Sequence, residues 1–211
     1  YIALLGWSPK ENQEKLSMAE LIEKFSIDGL SKSGSIFDEQ KMRWLNSQYL
    51  REMPVEEFNR LADPWYEKSA IKDKYDYMKF SALLQPRLEI LSEIPEKVAF
   101  IDDFGEYDLG LYYHKKLKTD KEIALKAVEG AIEVYERTAL DNDILLANLE
   151  EKSNAIGIKK GQMLFCLRLA VTSKAATAGG ATELTPILGR EEILRRLRFS
   201  LDLLRKDKEN A

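Results

Sequence analysis

The stretch "SKSGSIFDEQKMRWLNSQYLREMPVEEFNRLADP" (residues 31–64) decides how this chain folds. A turn-rich Ser/Gly run opens it, and Asp38 stands where a helix N-cap is wanted, because its carboxylate can accept a free backbone N–H of the first turn. Met42, Leu45 and Tyr49 then recur on one face at helical spacing. Pro54 falls at a first helical position, where its missing N–H leaves nothing unsatisfied, ahead of a second helical run. The first of these helices carries Lys41, Arg43, Trp44 and Asn46 together, which a plain core helix does not need. Two readings stay open: the side chains pack and pair within the protein, or they face something charged and flat.

The same punctuation recurs on both sides. Ser17-Met-Ala-Glu20 has the spacing of a capping box and leads into Leu21, Ile22 and Phe25. Tyr77 to Leu91 reads as a helix kinked at Pro86, since proline removes one i→i−4 bond. "SEIPEKVAF" adds a second proline signal. From Ala99 the texture changes, and "IDDFGEYDLG" is acidic and glycine-punctuated, as a junction between two helical parts would be. Thr119-Asp-Lys-Glu122 is a further capping box, followed by Ile123, Ala127 and Ile132 on one face. Gly157 stands as the C′ residue of "DNDILLANLEEKSNAIG". "KKGQMLFCLRLAVTSK", the small-residue segment "AATAGGATE" and the helix "GREEILRRLRFSLDLLRK" complete the chain. Strand signals are scarce and no internal repeat occurs. The expected fold is all-α, as two consecutive helical bundles over residues 1–98 and 99–211.

Composition limits the function classes. The 211 residues are 45% hydrophobic and 32% charged, with a net charge of −4 that argues against indiscriminate nucleic-acid binding yet allows a local basic face. No apolar run approaches the roughly 20 residues of a membrane span. The single cysteine, Cys166, excludes an internal disulfide and fits a reducing cytosol. The start at Tyr1, without methionine and inside an apolar run, is what a piece of a longer protein would show; it lacks the basic start and cleavage site of a signal peptide.

The catalytic inventory is thin. One histidine, His114, lies in "YYHKK" and reads as a residue of a partly exposed helix face; without it no Ser-His-Asp or Cys-His arrangement can be completed. Cys166 sits in "MLFCLRL", where a buried thiol is inert. No zinc, EF-hand or phosphate-loop spacing occurs. Asp102-Asp103 and Glu191-Glu192 are adjacent pairs whose side chains diverge on a helix, and they read as solvated charges. Neither a catalytic residue nor a metal or cofactor ligand is expected here. Recognition remains. Arg87, after Pro86, can present a planar five-donor fork, and Lys159, Lys160 and Arg168 are expected to gather near the glycine-rich 177–181 segment, where missing side chains admit a base or phosphate. Such groups suit single-stranded RNA. On composition alone, Arg87 and Arg168 as salt-bridging surface residues is an equal alternative.

The blocks "YIALLGWSP", "ELIEKF", "GLSKSGSIFDEQKMRWLNSQYLREMP", "PRLEILSEIPE", "KKGQMLFCLRLAVT" and "ILGREEILRRL" resemble, in order and spacing, the C-terminal half of bacterial glutamyl-tRNA synthetases. The resemblance covers nearly the whole chain, and "YIALLGW" and "FDEQKMRWLN" are its most specific parts. Neither the HIGH-type nor the KMSKS-type motif is present. It implies a stem-contact and anticodon-binding helical domain followed by an α-helix cage that also binds the anticodon. The longer parent would be a class I ligase, with its ATP and Mg sites outside this chain. It also implies a cytoplasmic monomer whose partner is tRNA(Glu), with no DNA or membrane partner.

The resemblance assigns roles residue by residue. Ser31, Lys41 and Trp44 match positions facing the inner side of the tRNA or its anticodon stem. Arg87 matches the arginine that reads the third anticodon base, favouring C over G and so separating glutamate from glutamine anticodons. Lys159 falls near the anticodon-loop backbone, and Arg168 at the first anticodon base. Thr177, Gly179 and Gly180 match a Thr-Pro-Gly segment packed around the first two bases. Departures occur: Ala178 replaces a common proline, Gly180-Ala181 replaces Gly-Leu, and "VTS" (Val171 to Ser173) replaces "LTG". The resemblance implies that Lys41, Lys159 and Arg168 share one surface with Arg87. Two further readings stay open: a helical protein-interaction scaffold, and a relaxed-specificity paralogue that glutamylates tRNA(Gln).

Overall fold

Capping side chains start the helices close to where the sequence marks them. A computed structural model describes residues 1–11, 13–32 and 34–209; Ser33, inside the turn-rich Ser/Gly run, lies outside the described residues. Among these, ten α-helices follow in order: α1 (Met18–Lys24), α2 (Glu39–Glu52), α3 (Val55–Tyr66), α4 (Tyr77–Leu84), α5 (Ile94–Val98), α6 (Lys121–Arg137), α7 (Asn142–Ala155), α8 (Lys160–Thr172), α9 (Ala181–Leu188) and α10 (Arg190–Glu209). The only extended pairings among them are two isolated bridges, Trp7 with Leu30 and His114 with Thr119. The all-α expectation holds. The Ser17 hydroxyl accepts from Glu20 N (3.2 Å) while the Glu20 carboxylate accepts from Ser17 N (2.7 Å), so α1 begins with a complete capping box. Asp38 caps α2 through Lys41 N (3.0 Å). Gly157 takes φ +73°, the left-handed conformation that closes α7.

Four local readings shift. Pro54 is the residue before α3 rather than inside it, and α3 continues through Pro64. The helix from Tyr77 does not kink at Pro86 but ends there: α4 closes at Leu84 into a 3₁₀ turn, Gln85–Arg87, and Leu88 turns extended. The Gln85 amide holds that turn against the end of α2, donating to Leu50 O (2.8 Å) and Met53 O (2.7 Å), which satisfies carbonyls the helix end leaves free. The cap of α6 is Asp120, accepting from Ile123 N (2.8 Å), one residue beyond Thr119, which is buried instead. His114 lies in a tight turn rather than on a helix, its Nδ1 accepting from Leu117 N (3.2 Å) and its ring edge-on to Phe165.

One apolar core joins both parts of the chain, from Leu50, Phe58, Tyr66 and Phe80 through Ile94 and Tyr112 to Tyr135, Leu167, Leu197 and Leu204. Helices α6, α8 and α10 pack on one another, and α4 meets α9 across the two parts. The acidic junction after Ala99 is fastened from within by Arg196, which is 1% exposed. Its Nη1 donates to Phe100 O (3.3 Å) and Val171 O (3.0 Å), Nη2 to Ile101 O (3.1 Å), and Nε to Glu192 (2.6 Å). The Phe104 ring covers the guanidinium at 4.4 Å. Glu192 is therefore a structural anchor rather than a solvated charge. Cys166 is buried, and its thiol is pushed up to about 12 by that burial, as an inert core thiol should be.

Two expectations follow from this anchor. Arg196→Leu leaves three buried carbonyls without their donor and should cost about 3 kcal/mol or more, read as a fall in the urea midpoint; a loss under about 1 kcal/mol would contradict the anchoring role. The carboxyl of Glu192 is held below its ordinary value of 4.5 by the Arg195 hydrogen bond, against desolvation, with Arg196 adding to it. A lowered folded-state pKa contributes stability that is present above 4.5 and lost as pH falls through the lowered value. Glu192→Gln should flatten the acid limb of the stability–pH curve, measured by denaturant melts at successive pH.

Candidate nucleic-acid interface

Arg87 is aimed by the turn that ends α4. Its Nη1 donates to Leu83 O (2.6 Å), one turn back, and its Nη2 donates to Glu183 Oε1 (2.5 Å) in the first turn of α9. Glu183 Oε2 also accepts from Gly180 N (2.9 Å), closing the N-terminus of α9. Beside this polar contact lies an apolar one: a Cβ at Gly179 would stand 2.7 Å from Leu83 Cδ1, so any larger residue would push the Leu83 side chain aside. Thr177 Oγ1 donates to Gly179 O (2.6 Å) and fixes the loop internally. Ninety residues of chain separate Arg87 from Thr177, yet both line one cleft of about 620 Å³.

The same cleft is lined by Glu96, Lys97, Ala99, Phe100 and Asp103 and, from the chain that follows α8, by Lys174, Ala176 and Ala178. Lys174 lies 3.8 Å from Asp103 in a loose ion pair. A guanidinium with N–H groups to spare, a second and third cation, and small residues that leave backbone open form a surface able to hold a base edge and a phosphate. Among the described residues, no group of three His, Cys, Asp or Glu is placed to hold a metal ion.

The other sequence-derived candidates are distributed around the molecule. Arg168 sits one turn before Thr172, whose hydroxyl donates to its carbonyl (2.8 Å), and its Nε is buried without a partner. Lys159 and Lys160 do not gather at the glycine-rich loop. They stand at the start of α8, whose 13 residues put them about 20 Å from the end that leads into it; Lys160 pairs with Glu150 (2.7 Å). Lys41 pairs with Glu14 (2.6 Å), which raises its pKa. Ser31 donates its backbone N–H to Gly6 O (2.9 Å). On α2, Arg43 is engaged by Glu39, Glu89 and Glu93, and Asn46 donates to Glu89 O (2.6 Å). The cation and amide beside Trp44 thus tie α2 to residues 89–93, while Trp44 itself stays 45% exposed.

Sequence reasoning missed Glu183, Lys97 and Lys174. Glu183 carries a readable signal, an acidic residue at the third position of a helix that starts after glycine. The lysines carry none, because only the fold brings residues 97 and 174 together.

The family model described as "Anticodon binding domain" matches residues 57–201. A glutamate–tRNA ligase of Clostridium tetani is 41% identical over 210 residues, covering 98% of this chain and 42% of that relative. One from Clostridium botulinum (Eklund 17B) is 40% identical, covering 97% and 43%. The chain thus spans less than half the length of these relatives. The crystal structure of a glutamate tRNA ligase from Elizabethkingia meningosepticum superposes with a TM-score of 0.78 at 23% identity, over 96% of this chain and 40% of that one. The glutamate–tRNA synthetase of Elizabethkingia anophelis gives 0.71; these two establish shared fold. The comparisons lend no support to a protein-interaction scaffold. Matched over most of its length, the chain belongs to the anticodon binding domain family and is homologous to the corresponding part of glutamate–tRNA ligases.

Proposed function

We propose that this chain is the anticodon-recognition module of a class I glutamate–tRNA ligase that joins glutamate to tRNA(Glu) with ATP and Mg, in chemistry performed outside the chain. The observation that carries the proposal is the single cleft shared by Arg87 and the Thr177–Gly180 loop, in a chain of this family. Arg87 reads the third anticodon base, and Thr177, Gly179 and Gly180 bound the space for its neighbours. Arg168 contacts the first base from the helix that feeds the loop. Lys41, Trp44 and Ser31 face the stem, and Lys159 meets the RNA backbone away from the cleft. The protein acts as a cytoplasmic monomer; no described helix is long and apolar enough to cross a membrane.

The physical basis is asymmetric hydrogen bonding. An arginine facing a base edge donates charge-assisted hydrogen bonds, and a correct contact of this kind is worth about 1–3 kcal/mol of discrimination. Glutamine is neutral, shorter, and both donates and accepts, so it meets C and G with similar success. Arg87→Gln in the full-length ligase should therefore reduce the ratio of kcat/KM between tRNAs differing only in the third anticodon base by about ten- to a hundredfold. An unchanged ratio with an intact fold would remove Arg87 as the reader. Phosphate contacts release counterions, so tRNA affinity should fall steeply with salt; binding insensitive to salt would contradict the RNA role. This chain alone, lacking a nucleotide-binding motif, should form no glutamyl-adenylate from ATP and glutamate, as followed by pyrophosphate exchange.

A further inference from the structure

The geometry points to Glu183 as the positioning residue for Arg87: its carboxylate aims the guanidinium into the cleft and thereby sets how sharply the third base is discriminated. This rests on the reading of Arg87 given above. The carboxylate is bidentate between two parts of the chain, with Oε1 on Arg87 Nη2 at 2.5 Å and Oε2 on Gly180 N at 2.9 Å. On its other side, Arg87 is tied to Leu83 O at 2.6 Å. A guanidinium carries five N–H donors in a rigid plane, so these two ties fix the plane and leave three donors for the cleft. Without the carboxylate the side chain keeps one tie, to its own helix end, and can swing about it. A swinging donor meets several base edges with comparable success, whereas a fixed one meets a single pattern.

The pair is not a folding determinant. Arg87 and Glu183 remain 37% and 38% exposed, and half-exposed ion pairs contribute little to stability. Glutamine at position 183 can still accept from Gly180 N, because Gln serves the third helical position as Glu does. Glu183→Gln therefore removes the charged tie to Arg87 while keeping the cap of α9 and the Leu83–Gly179 contact.

The experiment is a double-mutant cycle in the full-length ligase: wild type, Glu183→Gln, Arg87→Gln and the double variant, each assayed for kcat/KM on tRNAs differing in the third anticodon base, with melting midpoints recorded. Glu183→Gln should lower the discrimination ratio by about three- to tenfold at an unchanged midpoint. The double variant should match Arg87→Gln alone, because a positioning residue has nothing to position once the arginine is gone. If Arg87→Gln lowers the ratio and Glu183→Gln does not, the positioning role is overturned and the reading of Arg87 survives. Additive effects, or an equal loss for every tRNA, also overturn it by giving Glu183 an independent or merely structural role. If Arg87→Gln leaves the ratio untouched, both fall together.

Discussion

Arg196 makes four hydrogen bonds inside the protein, and three of them go to carbonyls that no neighbouring helix would otherwise satisfy. Phe100 O and Ile101 O belong to the 3₁₀ turn Ala99–Ile101 that follows α5, and Val171 O lies near the end of α8. Ala99 and Phe100 line the cleft, and so do Lys174, Ala176, Thr177 and Ala178 of the loop that leaves α8. A single buried cation therefore ties the cleft-lining Phe100 to the end of the helix from which the loop leaves. A charge in such a place is tolerable only because Glu192 neutralises it, the Phe104 ring covers it and every tie is geometrically sound. The core around it can then be almost wholly apolar.

Charge elsewhere follows the same logic of pairing. A net charge of −4 leaves room for a local basic face but not for a general excess of positive charge. Lys41, Arg43 and Lys160 are each held by a carboxylate that also holds the local fold. The pairing is not uniform: Arg87 is held by Glu183 at 2.5 Å, Lys174 stands 3.8 Å from Asp103, and the Arg168 Nε has no hydrogen-bond partner. The tryptophan on α2 illustrates the contrast, because Arg43 and Asn46 beside it are bonded within the protein while the indole stays 45% exposed.

Much of the fold was legible because its determinants are local. Ser17, Asp38 and Gly157 act within one turn of their own positions, and each does what its chemistry indicates. Errors of one residue, as at Thr119 and Asp120, arise because both side chains can cap and only the extended backbone at 120 selects between them. Pro86 taken alone indicates a kink, but the outcome depends on Gln85 reaching carbonyls 35 and 32 residues earlier. The candidate site was less legible for the same reason. Arg87 carries a signal in its setting after proline, whereas its partner Glu183 is 96 residues away and the two lysines of the cleft are 77 apart. Arg196 stands on the apolar face of α10 with Ile193, Leu197 and Ser200, four residues beyond Glu192. That is a pattern which a reading of helix faces could have flagged.

The buried state of Cys166 has a practical side. It is the only cysteine of the chain, wholly enclosed in α8, and its thiol is held far from the reactive thiolate at neutral pH. Burial should keep this chain's own thiol slow toward maleimides and disulfide reagents. A cysteine introduced at Glu96 or Ala176, both exposed and both lining the cleft, would then be the preferred site of labelling. A fluorophore attached there would convert the surroundings of the cleft into an optical signal, read in the same molecule before and after RNA is added.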